Sequence, residues 1–197
     1  MKIICRDINY ADFGITEETG WKVSYDWSKL RKIMKKIGAI VSIFTAVISI
    51  ILVNTIFKEY QDIYIVLSAG IAIILFLFFL TPVHEILHLI PIVGFKLDDK
   101  CFIILGKGTV SAFYRGEITN KQNCVSLITP FLILGLILIA SSILLSGIFK
   151  FCAVLLLIMH VGGCWSDIYM FFYMKRHFSI PYNFLWKPLS YRISQTV

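Results

Sequence analysis

Long uncharged runs, separated by short clusters of basic residues, organise this chain. Ile37 to Phe57 is 21 residues without a charge. A second run starts at Ile63, stays apolar to Val83, and continues through His84, Glu85 and His88 to Pro91. The third, between Lys121 and Lys150, is uncharged for 28 residues and contains Pro130. The fourth, Phe151 to Met174, carries a single acidic residue, Asp167. A helix needs about 20 mainly apolar residues to cross the hydrocarbon core of a bilayer. The pattern therefore predicts four transmembrane helices, over about 37–57, 63–91, 125–146 and 148–174.

The loop from Phe95 to Gln122 follows a different pattern. Cys101-Phe102-Ile103-Ile104-Leu105 and Thr109-Val110-Ser111-Ala112-Phe113-Tyr114 are rich in β-branched and aromatic residues, and Gly106-Lys107-Gly108 between them supplies a turn. A β-hairpin is expected. It either packs on lipid headgroups or offers its edge to an extended peptide. The fold class is thus an all-α integral membrane protein with a membrane-associated hairpin between helices 2 and 3. Three regions follow: an N-terminal segment 1–36, a four-helix domain 37–174 and a C-terminal tail 175–197.

Composition agrees with the pattern. Of 197 residues, 58% are hydrophobic and only 16% charged, with a mean hydropathy of +0.80. A soluble chain of this size has about one quarter of its residues charged, because its surface faces water. Disordered, collagen-like and disulfide-scaffold classes are excluded. The five cysteines, Cys5, Cys101, Cys124, Cys152 and Cys164, are scattered without a C-x-x-C pair, which argues for free thiols and against a cysteine zinc site. The first 30 residues contain Arg6, Asp7, Asp12, Glu17, Glu18, Lys22 and Asp26, so no secretory h-region is expected there.

Charge adds an orientation. Of 19 Lys and Arg, eight precede the first span, five lie between the second and third, and four follow the fourth. Only Lys58 and Lys150 fall in the other two turns. A ratio of 17 to 2 predicts a multi-pass protein of the cell membrane with both termini and the hairpin loop in the cytoplasm. The net charge of +7 is then topology, and no nucleic-acid partner is needed. Trp21, Tyr25 and Trp27, with Tyr182, Phe184 and Trp186, are expected at the interface.

The candidate chemistry is His84-Glu85-Ile86-Leu87-His88. On a helix, residues four apart share a face, so both imidazoles can meet one metal ion. The glutamate beside them can act as general base toward water. Two core histidines with a satisfied glutamate is the plainer alternative, but polar groups inside an apolar span are costly. Among twelve acidic residues only Glu85 and Asp167 lie within the spans. Their depths also agree: at 1.5 Å per residue, Ile63 to His84 and Ile148 to Asp167 advance roughly 32 Å and roughly 28 Å. Two histidines and a carboxylate make a catalytic zinc site.

His160 competes with Asp167 for the third position. It precedes Asp167 by seven residues, about 10 Å along a continuous helix, so one zinc is not expected to take both. His160 is otherwise an orienting or proton-handling group, or a helix–helix hydrogen-bond partner. Cys164 is near enough to be a ligand, although one isolated cysteine more often fills a helix interface. Gly162 and Gly163 permit close approach of the fourth helix to the second. Pro82 should loosen the helix before the motif and Pro91 should end it.

These residues resemble those of intramembrane zinc metallopeptidases of the site-2 protease type. More closely, the chain is similar to the bacterial membrane family described as putative zincin peptidases. In site-2 proteases the zinc-binding helix motif is followed by a membrane-associated β-hairpin, a further helix, and a helix bearing an aspartate ligand. This chain repeats that order with His84-Glu85-Ile86-Leu87-His88, the Phe102 to Tyr114 hairpin, Val125 to Ser146, and Asp167. The resemblance implies that His84, His88 and Asp167 bind zinc and that Glu85 activates water. It also implies a membrane-embedded or membrane-adjacent protein or peptide substrate. One departure is that Gly162-Gly163-Cys164-Trp165-Ser166-Asp167 replaces the asparagine–proline-rich stretch and Leu-Asp-Gly of the best-known members. The alternative function is a non-catalytic membrane protein whose zinc or polar cluster serves transport or sensing. Oligomeric state does not follow from the sequence.

Overall fold

In a computed structural model, residues 2–4, 22–23, 27–56, 62–106, 109–114, 116–177, 182–185 and 190–193 are described. Cys5, Trp21, Tyr25, Trp186 and the Lys107-Gly108 turn lie outside them, as do the side chains of Trp27, Tyr182 and Phe184. Helix α1 spans Trp27–Ile56 and α2 spans Asp62–Leu75. A π-helical turn, Phe76–Leu80, leads into α3, Thr81–Val93. After the hairpin come α4, Asn120–Leu144, α5, Gly147–Gly163, and α6, Trp165–His177. Four helical segments are long and apolar enough to cross a membrane: Lys35–Leu52, Ile63–Val93, Asn120–Leu144 and Gly147–Arg176.

Two of these segments depart from regular α-helix, each for a reason visible in the sequence. Pro82 has no N–H, and its ring crowds the carbonyl four residues earlier. The expected loosening takes the form of the π turn immediately before it, where the Thr81 N–H and hydroxyl both donate to Phe76 O. Pro91 does not end the helix as expected, for α3 continues to Val93. There the chain turns through Gly94 at φ +67°, a backbone region that favours glycine. The fourth segment breaks at Cys164 between α5 and α6. Gly162 and Gly163 precede the break and leave no side chain to fill it.

The expected hairpin is present and belongs to a larger β structure, so the class is mostly helical rather than all-α. Strands β3, Cys101–Gly106, and β4, Thr109–Tyr114, pair antiparallel with Ile103 opposite Ala112. Strand β1, Lys2–Ile4, adds parallel to β3, giving the order β1-β3-β4 with β4 at an edge. A second sheet joins β2, Lys22–Val23, β5, Glu117–Thr119, β6, Tyr182–Leu185, and β7, Ser190–Ile193, in the order β2-β7-β6-β5. These additional strands run two to four residues, too short to show a period-2 pattern.

The chain divides into two compact units. One comprises Met1–Arg31, Glu85–Thr129 and Ile168–Val197, and holds both sheets. Its buried side chains include Cys101, Phe102, Ile103, Ala112, Phe113 and Ile118. The other comprises Lys32–His84 and Pro130–Asp167. In it α5 packs on α2, with the Cys152 thiol donating to Ser68 O at 3.6 Å. Gly162 and Gly163 lie against different neighbours. A Cβ on Gly162 would fall 2.7 Å from Thr45 Oγ1 of α1, whereas one on Gly163 would meet Phe76 of the π turn at 3.5 Å. Gly162 therefore makes room for α1, and Gly163 for the second segment as expected.

Candidate metal centre

Helix α3 presents His84, Glu85 and His88 with their ligand atoms all within 4.8 Å of one another. Spacing explains this, since His84 and His88 are one turn apart on one face. The burial is graded: His88 is only 4% exposed and His84 about 14% by side chain. Each of the three is held by a partner distant in sequence.

His88 Nδ1 donates to the backbone carbonyl of Ser126 at 2.8 Å, and the Ser126 hydroxyl donates back to His88 O at 2.6 Å. The Ser126 carbonyl needs an outside donor because of Pro130. In a helix it would accept the N–H four residues on, and proline has none. Pro130 thus leaves an acceptor that fixes the His88 tautomer with the proton on Nδ1, so Nε2 keeps its lone pair for a metal. One turn before Ser126 on the same face, Asn123 is 1% exposed, and among the described residues its amide has no hydrogen-bond partner.

Glu85 Oε2 accepts the backbone N–H of Ala112 at 2.5 Å. That N–H belongs to β4, the edge strand among the described residues, so this side of the hairpin is aimed at the carboxylate. In the other unit, His84 Nε2 lies 3.0 Å from Asp167 Oδ2. Asp167 sits in the first turn of α6, its N–H bonded to Cys164 O at 3.1 Å. A carboxylate is favoured there by the positive end of the helix dipole. The break at Cys164 is what gives Asp167 a helix N-terminus to occupy.

His160 also faces His84. The rings meet edge-on with centroids 5.8 Å apart, and Cys164 Sγ lies 3.8 Å from His84 Nδ1. His84 therefore has an oxygen donor at one ring nitrogen and a sulfur at the other. The separation expected between Asp167 and His160 along a straight helix does not keep His160 away from His84. Cys101, outside this cluster, is fully buried in β3, and burial together with Asp98 beside it pushes its thiol up to about 11. It stays protonated at neutral pH.

Helix α3 brings three possible metal donors together, and Asp167 reaches one of them, His84. Histidine with its other nitrogen bonded to a carbonyl, as at His88, is the usual arrangement around zinc. Two histidines one turn apart with an intervening glutamate define the zincin class of metallopeptidases. The chain belongs to the family described as "Putative zincin peptidase", whose model matches residues 77–180. That stretch contains His84, Glu85, His88, the hairpin and Asp167. Membership supports a zinc metallopeptidase. No curated protein and no solved structure matches the chain.

Sequence reasoning did not find Ala112, Ser126 or Asn123. Pro130 was a usable signal for Ser126, four residues upstream. Ala112 contributes through its backbone, which leaves no signature in residue type.

Proposed function

We propose that this protein is an intramembrane zinc metallopeptidase, of a type similar to the site-2 proteases. It cuts membrane-embedded or membrane-adjacent peptides near the cytoplasmic face. The observation that carries the reading is the set of long-range contacts on α3: His84 to Asp167, Glu85 to Ala112 and His88 to Ser126. Ionisable groups inside an apolar span are rare and mark functional sites. Here every one of the three motif residues is oriented rather than merely neutralised.

His84, His88 and Asp167 would hold the zinc. When bound, zinc supplies a Lewis acid for the scissile carbonyl and lowers the pKa of attacking water toward neutrality. Glu85 takes the proton from that water and returns it to the leaving amine. The Ala112 N–H holds one carboxylate oxygen, restricting the side chain to one orientation for that transfer. The β4 edge gives an extended substrate a strand to pair with beside Glu85. A transmembrane substrate must unwind to use that edge, because helical backbone hides its carbonyls. The Asn123 amide offers both a donor and an acceptor to such a backbone.

The test is metal analysis of the purified protein together with peptide cleavage in detergent, for wild type and Asp167→Ala. Zinc near one per chain and cleavage by the wild type, with loss of cleavage in the variant, support the reading. Bound zinc without cleavage of any membrane peptide, or ion flux in liposomes, would instead support a transport or sensing protein.

A further inference from the structure

His84, His160 and Cys164 lie within one unit of the fold, with ligand atoms all within 4.8 Å of one another. Cys164 is fully buried and His160 only 2% exposed. The sulfur is 3.8 Å from His84 Nδ1, and 3.6 Å and 3.5 Å from the two ring nitrogens of His160. A metal that holds sulfur at about 2.3 Å and imidazole nitrogen at about 2.0–2.1 Å, with angles between tetrahedral and trigonal, separates those donors by about 3.5–3.8 Å. The observed spacings fall in that range without movement of the backbone. Sulfur stands nearly equidistant from both His160 nitrogens, so a turn of the ring brings one of them to the metal and leaves the other toward the backbone carbonyls of Pro130 and Phe131.

We propose that His84 Nδ1, His160 and Cys164 Sγ form a second metal site, selective for a thiophilic d10 cation such as Zn2+ or Cu+. A sulfur and two imidazoles are soft to borderline donors, suited to these ions and not to Mg2+ or Ca2+. Binding breaks the S–H bond, forms a sulfur–metal bond and releases the proton to solvent, with no electron transferred. A buried thiolate is thereby neutralised by the cation instead of standing alone in an apolar span.

The site is distinct from the His84–Glu85–His88 set because it uses the opposite nitrogen of the shared ring. A cation on Nδ1 leaves the imidazole proton on Nε2, where it donates to Asp167, as the 3.0 Å contact already allows. Occupancy therefore withdraws His84 Nε2 and Asp167 from the peptidase set. This consequence rests on the proposed function; the metal site itself does not.

The test uses the full-length protein in detergent, stripped of metal, as wild type and as His88→Gln, which disables the peptidase set. Addition of Cd2+ should produce a thiolate-to-metal charge-transfer band in both, saturating at one sulfur-bound ion per chain. The band should vanish in Cys164→Ser and require at least tenfold more Cd2+ in His160→Ala. X-ray absorption of zinc-loaded His88→Gln needs no substitution at the buried cysteine, and should show one sulfur at about 2.3 Å. Cu+ should displace Cd2+ from the same site if copper is the preferred ion, and zinc should do so alone if it is not. No band in His88→Gln, an equal band in Cys164→Ser, or a zinc spectrum without sulfur would overturn the proposal. A sulfur signal in the wild type, together with no hydrolysis by zinc-loaded Cys164→Ser in which the second site is removed, would sink the peptidase reading and leave this one standing.

Discussion

Helices α1 and α3 both place polar side chains in apolar surroundings, and they satisfy them in opposite ways. In α1, Thr45, Ser49 and Thr55 each donate to the carbonyl four residues earlier, at 2.8–2.9 Å. In α3, His84, Glu85 and His88 reach partners 83, 27 and 38 residues away. A hydroxyl that bonds back to its own helix needs no neighbour and does little beyond filling a turn. A side chain that needs a neighbour fixes that neighbour's place, and the neighbour in turn fixes its tautomer and direction. Polarity within an apolar helix is thus a poor marker of a site by itself. The range over which it is satisfied is the better one.

The contrast is sharpest at the motif histidines. In a Cys164→Ser background, which removes the sulfur-bound site, His88→Ala should lower the zinc content of purified protein from near one per chain to near zero. Peptide hydrolysis should disappear with it. Retention of stoichiometric zinc would show that α3 does not hold the ion.

A smaller effect is expected one step out. Pro130→Ala restores an N–H that competes with His88 Nδ1 for the Ser126 carbonyl. Zinc affinity should fall about 10–100-fold, the usual cost of losing an outer hydrogen-bond partner of a ligand. Competition with a chelator of known affinity measures it. An unchanged affinity would mean that His88 does not depend on that carbonyl.

Asn123→Ala should leave zinc content unchanged and raise KM for a peptide substrate severalfold, with kcat less affected. An effect on kcat alone would place Asn123 among groups that act only in the transition state. At the other end of the scale, Ser49→Ala in α1 should alter neither zinc content nor hydrolysis. Its stability should stay within about 0.5 kcal/mol of wild type, as surface changes usually do. A loss of activity there would erase the distinction between the two helices.

The four long apolar helices and the hairpin were legible because each rests on a period or a run of at least five residues. The three donors on α3 and the unusual carboxylate Asp167 were legible for a related reason. An ionisable residue in an apolar run stands out against its neighbours. What stayed hidden depends on backbone and on chain partners far apart. The break at Cys164 turns His160 and Asp167 from successive positions on one helix into two donors around His84. No spacing rule for a straight helix shows that. The pairing of Lys2–Ile4 with Phe102–Ile104 is similarly nonlocal, with only three residues on one side. Pro91 misled because two more helical residues follow it before Gly94 makes the turn.

The most direct test of the central claim is hydrolysis by zinc-loaded Glu85→Gln. Glutamine keeps the shape of the side chain and can still accept the Ala112 N–H, but it cannot take a proton from water. With zinc near one per chain, the account predicts a fall in kcat of about 10²–10⁴, the range for losing a general base. Full zinc with undiminished hydrolysis would contradict it.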